Sequence, residues 1–221
     1  MYAEWASSLP HVVAWRSTVP PGSTIQRILP DGCLDVIWQD GDVFVAGPDT
    51  TAQLAAAPPG STLVALRFAD GVGAAVLGVP ADELTDRRVP LADMVTPARV
   101  RPLAEAGDPL AALEDFARRR WRTPDRTMVA VAAGARAGVP VGAIADSCGL
   151  SSRQLQRRCR AAFGYGPKTL ARILRLQTAV GLARRGRPFA DVSVTAGYAD
   201  QAHLARDVKA LSGVPLSELV T

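Results

Sequence analysis

Histidine, cysteine and lysine are scarce in this chain of 221 residues, and the first two scarcities each count against a class of function. The two histidines, His11 and His203, lie at opposite ends, and the three cysteines, Cys33, Cys148 and Cys159, are scattered, odd in number and form no CxxC. A disulfide framework and a zinc site are both excluded on that pattern, which fits a reducing compartment. No metal and no cofactor is expected. No apolar run approaches the ~18–20 residues that cross a bilayer, so no membrane span is expected. The opening MYAEWASSLPHVVAWRS has no basic stretch ahead of an apolar one, unlike a signal peptide, and the expected location is the cytoplasm. Also missing are GxSxG, HExxH and a phosphate-binding loop, and Gly71-Val72-Gly73 is too little for a nucleotide loop. No catalytic residue is nominated, and the chain is not read as an enzyme. Lysine supplies two of the 25 basic residues, an arginine bias that fits a GC-rich bacterial genome.

What is present is an ordinary globular composition, 48% hydrophobic and 21% charged, in a length that suits two small domains. The charge is polarised along the chain. Residues 1–122 carry 11 Lys/Arg against 15 Asp/Glu, a net −4, whereas residues 123–221 carry 14 against 6, a net +8. A basic half points to a polyanionic partner, or more plainly to a basic solvated surface.

The first ~75 residues read as short strands, STIQRIL, CLDVIW, DVFVAG and STLVALRF. They are parted by turn formers at Pro30 to Gly32, Gln39 to Gly41, Gly47 to Asp49 and Pro58 to Gly60. After Pro80 the pattern turns helical, in PADEL, PLADM, PARVRPLAEAG and DPLAALEDFARRRWR, with proline near the helix starts. These helices are expected to pack between the strands and the carboxy-terminal half of the chain. Pro124 opens a further helix that ends at Gly138. The fold class is α+β: a small antiparallel β-domain with following helices over 1–122, then an all-α domain over 123–221, with the boundary in Arg118 to Thr123.

The all-α half repeats itself. IADSCGLSSRQLQRRCRAAFGYGP, from Ile144, aligns with VSVTAGYADQAHLARDVKALSGVP, from Val192, so that Gly149 matches Gly197, Leu155 matches Leu204 and Arg157 matches Arg206. Each copy reads as a short helix, a glycine able to take the left-handed conformation, one apolar plug (Leu150 or Tyr198), an N-cap (Ser151 or Asp200) and a second helix. Helix, glycine turn, helix is the helix-turn-helix arrangement, whose second helix enters the major groove of DNA. On the first such helix Leu155 and Cys159 face inward at i and i+4, leaving Arg153, Gln156, Arg157 and Arg160 mostly outward. Arginine and glutamine suit guanine and adenine edges. The segment between the copies, Pro167 to Gly186, reads as one helix of ~18 residues, about 27 Å long. That suits a rod holding two recognition helices one DNA turn apart.

From Arg126 to Val220 the chain resembles the AraC/XylS family of bacterial transcription regulators, through LSSRQLQRRCRAAFGYGPKTL and GYADQAHLARDVKALSGVPLSEL. It departs from the family's terminal signature at Tyr198, Leu204 and Val208, and in the first unit at Cys159, each time apolar for apolar. The resemblance implies double-stranded DNA as partner. It implies base-reaching positions at Arg153, Gln156 and Arg157 and at Gln201, Ala202 and Arg206, a phosphate contact at Lys168, and a role for His203 in supporting the turn or a phosphate more than in reading a base. PDGCLDVIW, LVALRF and LGVPADELTDRRVPL look like an uncharacterised domain that precedes this module in regulators of high-GC bacteria.

Asp35 and Arg67 each interrupt an apolar strand, and a charge in such a run needs a partner. They pair with each other or with backbone, or they line a ligand cavity with Trp38 and Phe68. Trp5, Trp15 and Trp121 read as packing residues. Cys33 has no basic neighbour to favour a thiolate and reads as structural, with a reactive thiol as the alternative. Three functions fit these features: a regulator responsive to a small-molecule effector, a DNA-binding protein without one, or a thiol-based stress sensor using Cys33. A homodimer is left open, because tandem motifs let a monomer read two grooves.

Overall fold

The computed structural model describes residues 2–22 and 25–220. Its strands are β1 (Tyr2–Ala6), β2 (Val12–Thr18), β3 (Ile25–Ile28), β4 (Leu34–Gln39), β5 (Asp42–Ala46), β6 (Gln53–Ala56), β7 (Thr62–Phe68) and β8 (Arg88–Pro90). Six of them form an antiparallel sheet in the order β1-β2-β7-β4-β5-β8, while β3 and β6 pair separately. Of the strand read in STIQRIL, Ser23 and Thr24 lie outside the described residues. The Gln-Asp-Gly turn becomes a two-residue hairpin between β4 and β5, with φ of 50° at Asp40 and 102° at Gly41. That is the backbone a tight hairpin requires, and Asp-Gly supplies it at low cost.

Alternation along the strands gives the large sheet two unlike faces. Val36, Val45, Leu66 and Phe68 point to one side and bury against Leu77, Leu91, Leu103, Leu113 and Phe116. The elements on that side are α1 (Val72–Leu77), α2 (Pro97–Ala104) and α3 (Pro109–Arg120). Trp15, Ile37, Ala46 and Ala65 point to the other side. PADEL and PLADM are not α-helices: each is a three-residue 3-10 turn, Ala81–Glu83 and Leu91–Asp93. The chain has to straighten between them to add β8 to the edge of the sheet, and proline tolerates that edge because its missing N–H needs no ladder partner.

Residues 121–125 carry no helix or strand, and Asp125 rather than Pro124 opens the next helix, its carboxylate accepting from the Thr127 N–H at 2.9 Å. The remaining helices are α4 (Arg126–Arg136), α5 (Val141–Ser147), α6 (Ser152–Phe163), α7 (Pro167–Arg184), α8 (Phe189–Thr195), α9 (Gln201–Ser212) and α10 (Leu216–Leu219). They make two cores on one rod. The first half of α7 gives Leu170, Ile173 and Leu174 to a cluster with Val131, Ile144, Leu155, Cys159 and Phe163. Its second half gives Leu176, Ala179 and Val180 to a cluster with Val192, Tyr198, Leu204, Val208 and Leu211.

The helices expected between the β-part and the helical part mostly lie elsewhere. α2 and α3 pack on the sheet, so the contact with α6 falls to α1 and to the Ala81–Glu83 turn. At that contact Gly71 abuts Ala162 and Phe163, Thr85 donates its hydroxyl to the Gly164 carbonyl at 3.0 Å, and Arg136 pairs with Asp70 at 2.5 Å. A second contact is made by the other end of the β-part. Gln177 of α7 donates to the Pro30 carbonyl at 2.7 Å, Arg27 of β3 donates to the Ser212 carbonyl at 2.7 Å, and the Ala52 N–H donates to the Leu211 carbonyl at 2.7 Å. The β-part thus grips both helix-turn-helix units.

Candidate DNA interface and effector cavity

Both copies of the repeat fold as the sequence implies. In the first, Gly149 takes a φ of 64° after α5. Ser151 and Gln154 close a capping box at the start of α6, each side chain serving the other's backbone N–H. Leu155, Cys159 and Phe163 are buried, whereas Arg153, Gln156 and Arg157 are exposed on the outer face. In the second, Gly197 takes a φ of 79°, and the Asp200 carboxylate caps α9 by accepting from the His203 N–H at 2.6 Å. Gln201, Ala202 and Arg206 are exposed there. Lys168 is exposed in the first turn of α7, after the Gly-Tyr-Gly-Pro turn.

Three nominated residues are engaged within the protein. Arg206 donates its Nε–H to the Ala202 carbonyl one turn back on α9 at 3.2 Å. Arg160 sits one turn beyond Arg157, and its guanidinium lies 3.5 Å from Asp82 in the β-part. The far end of α6 is the end docked on α1, which directs this arginine toward the amino-terminal half. His203 is half-buried, with its ring edge-on to Tyr198 at 5.1 Å and its Nδ1 accepting from the Ala199 N–H at 3.4 Å. Its imidazole braces the turn that positions α9. Arg158, which was not nominated, bonds Asp125 at 2.6 Å and ties α6 to the start of α4.

The second feature is a cavity of about 600 Å³ between the bare face of the large sheet and the β3–β6 ribbon. Asp35 and Arg67 lie on its wall. They are direct cross-strand partners of β4 and β7, joined by a bidentate contact in which Arg67 Nε and Nη2 donate to the two Asp35 carboxylate oxygens, each at 3.2 Å. Trp15 donates its indole N–H to the same carboxylate at 3.0 Å, and Asp31 lies 3.3 Å from Arg67. Asp35 and Arg67 thus pair with each other and at the same time stand on the wall of a cavity. Trp38 and Phe68 do not belong to it. Each is an odd number of residues from its charged neighbour, and in a strand that puts it on the opposite face. Phe68 is buried against α1–α3, and Trp38 donates its indole N–H to the Ala104 carbonyl at 3.3 Å.

Sequence reasoning missed Trp15, Asp49 and Arg88. Arg88 grips Asp49 at 2.7 and 3.0 Å on the cavity wall. The alternation of VVAWRST would have placed Trp15 with Asp35, but Arg88 sat between two segments read as helical. Burial, the largest influence, pushes the Asp35 carboxyl up to about 6; Asp31 adds to that rise, and Arg67 opposes it. Burial and the carboxylates of Asp31 and Asp35 push the Cys33 thiol well up. A thiolate is therefore disfavoured at Cys33, which counts against a stress-sensing thiol there.

Residues 144–221 match the family described as "Helix-turn-helix domain", and residues 8–90 match "Domain of unknown function (DUF6597)". A comparison with curated proteins gave no match. Among solved structures, the chain is similar to apo ToxT, a variant from Vibrio cholerae strain SCE256. The identity is 11% and the TM-score 0.50, over 97% of this chain and 98% of that one. It is similar to ToxT from Vibrio cholerae O395 bound to (E)-4-(8-methylnaphthalen-1-yl)but-3-enoic acid at 10% identity and TM-score 0.50, over 95% of this chain and 98% of that one. A probable AraC family transcriptional regulator from Rhodopseudomonas palustris CGA009 matches at 23% identity over 43% of this chain and 95% of that one, with a TM-score of 0.38. A β-domain followed by two helix-turn-helix units on one shared helix is a fold that this chain shares with ToxT. The matched domain over residues 144–221 is a helix-turn-helix module of the AraC type, and on that domain the chain is a DNA-binding transcription regulator. Among the described residues, no helix is long and apolar enough to cross a membrane.

Proposed function

We propose that this regulator divides into an effector domain over residues 1–122 and a DNA-binding domain over residues 123–221. Its DNA readers are Arg153, Gln156 and Arg157 on α6 and Gln201, Ala202 and Arg206 on α9, with Lys168 on a phosphate. Arg160 is better assigned to the contact between the halves, and His203 to the turn. What supports the reader set is exposure together with residue type: each arginine or glutamine stands exposed on the outer face of a helix whose inner face is locked into a core.

A small-molecule effector occupies the cavity. One observation carries this reading: the walls of the cavity are the same segments that hold the helix-turn-helix units. Leu29, Asp31 and Cys33 line it, and the chain between them touches α7 through Pro30 and Gly32. The ribbon that covers it is tied through Arg27 to the end of α9. An occupant that displaces either wall would change how the two reading helices are held, and a ligand acts only through such differential contacts. A ToxT structure of similar fold has a small molecule bound. The experiment is to fill the cavity from within. Leu63→Trp adds bulk to the lining of the cavity, within the β-part, and should change operator affinity severalfold in the full-length chain. A folded Leu63→Trp protein with unchanged operator affinity would separate the cavity from DNA binding.

A further inference from the structure

We infer that the cavity takes an amphipathic organic cation, an amine or amidine carried on an apolar or aromatic body, and discriminates against carboxylic acids. This rests on the reading of the cavity as an effector site and adds the ligand's charge. Six ionisable side chains of the two strongly charged kinds line the cavity: the carboxylates of Asp31, Asp35, Asp49 and Asp86, and the guanidiniums of Arg67 and Arg88. The carboxylates outnumber the guanidiniums two to one.

The guanidiniums are also already engaged. Arg67 turns two of its nitrogens to Asp35 and approaches Asp31, and Arg88 turns two nitrogens to Asp49. An incoming carboxylate would have to share a guanidinium whose charge is already matched by a bidentate partner, and would add a fifth negative charge to the cavity. An incoming ammonium meets acceptors with lone pairs to spare. Asp31, although it too faces Arg67 and accepts from the Cys33 N–H at 2.9 Å, is more exposed to that ammonium than Asp35 or Asp49. Its side chain is 30% exposed, compared with 11% for Asp35 and 6% for Asp49. The acids also repel one another: beyond the burial that raises both carboxyls, Asp31 adds to the rise of Asp35, and Asp86 and Asp31 add to the rise of Asp49. A ligand cation relieves that repulsion.

The rest of the lining sets the body of the ligand. Tyr2, Trp15, Ile25, Ile37, Phe44 and Leu54 contribute aromatic and aliphatic surface around the charged patch. Trp15 already carries Arg67 over its ring at 6.0 Å, so its π-face is used for a cation in this structure. The volume of about 600 Å³ falls in the range that accommodates a drug-sized molecule. The ligand held by ToxT is a butenoic acid, and the charge inferred for this chain's ligand is the opposite.

The test uses the full-length protein and three probes of one shape: phenylbutylamine, phenylbutanol and phenylbutanoic acid, titrated by calorimetry. The amine is expected to bind at least about tenfold more tightly than the acid, with the alcohol between them. Leu63→Trp should abolish binding of the amine, and Asp31→Asn should shrink the amine-to-acid ratio severalfold. If the acid or the alcohol binds as tightly as the amine and Leu63→Trp still blocks it, the charge assignment is overturned and the effector cavity stands. If none of the three binds, or if Leu63→Trp binds them unchanged, the effector reading falls as well. The wild-type ratio decides the charge assignment even if Asp31→Asn does not fold.

Discussion

At the scale of single residues the β-part is organised by Asp35 and Arg67, a buried cross-strand pair that also receives the Trp15 indole. Ionising Asp35 costs stability in the folded chain, because burial holds its carboxyl at about 6, against an ordinary value near 4 in the unfolded chain. The contribution of its protonated form is therefore complete below about pH 4 and is lost as the pH rises through about 6. The loss amounts to at most about 3 kcal/mol for a shift of this size. Urea titrations between pH 4 and 7 should show the fall, and Asp35→Asn should flatten it; a wild-type profile that rises over this interval would mean that Arg67 dominates. Cys33 lies beside the same carboxylates, and its thiol should react slowly with iodoacetamide in the folded protein. Labelling as fast as in the denatured chain would restore the thiol-sensor reading.

At the scale of elements, the two helix-turn-helix units depend on their caps. Ser151 begins α6 with a full capping box and Asp200 begins α9 with a single bond to the His203 N–H, so either residue changed to Ala should cost about 1 kcal/mol. Thermal melts should show both losses, and a melt unchanged by Ser151→Ala would deny the box its role. These units were legible in the sequence because everything that makes them is local: glycine, plug, cap and inner apolar row all fall within about twenty residues. The strands CLDVIW, DVFVAG and STLVALRF were legible for the same reason. Membership of the cavity was not, because it depends on which face of each strand looks where. Asp35 and Trp38 are close in sequence and on opposite sides of the sheet, and that was the source of the error over Trp38 and Phe68. β8 was missed because Arg88–Pro90 pairs with β5 across some forty residues, and nothing local marks it as a strand.

At the scale of the whole molecule, the helical half owns its core. Both of its clusters are made of residues beyond 123, with Leu29 of the β-part packed against the second. Residues 123–221 expressed alone should fold to a helical, DNA-binding domain, as circular dichroism and a mobility shift would show; an unfolded fragment would mean that the β-part's grip is required. The central claim is that two equivalent recognition helices, set along one rod of 18 residues, read successive grooves of one operator. Arg157 and Arg206 occupy the same place in the two copies, and each can donate two parallel bonds to guanine, worth about 1–3 kcal/mol of base discrimination. Lys168, set on a phosphate, would affect all sequences alike and change the salt slope by about 1. The most direct measurement is the affinity of the wild type, Arg157→Ala and Arg206→Ala for a library of operator variants at two salt concentrations. The account predicts that each arginine variant relaxes base preference in a different half of the operator, with the two halves about one helical turn apart. If both variants lose affinity equally for every sequence, the two arginines touch only phosphate and the paired-reader account is contradicted.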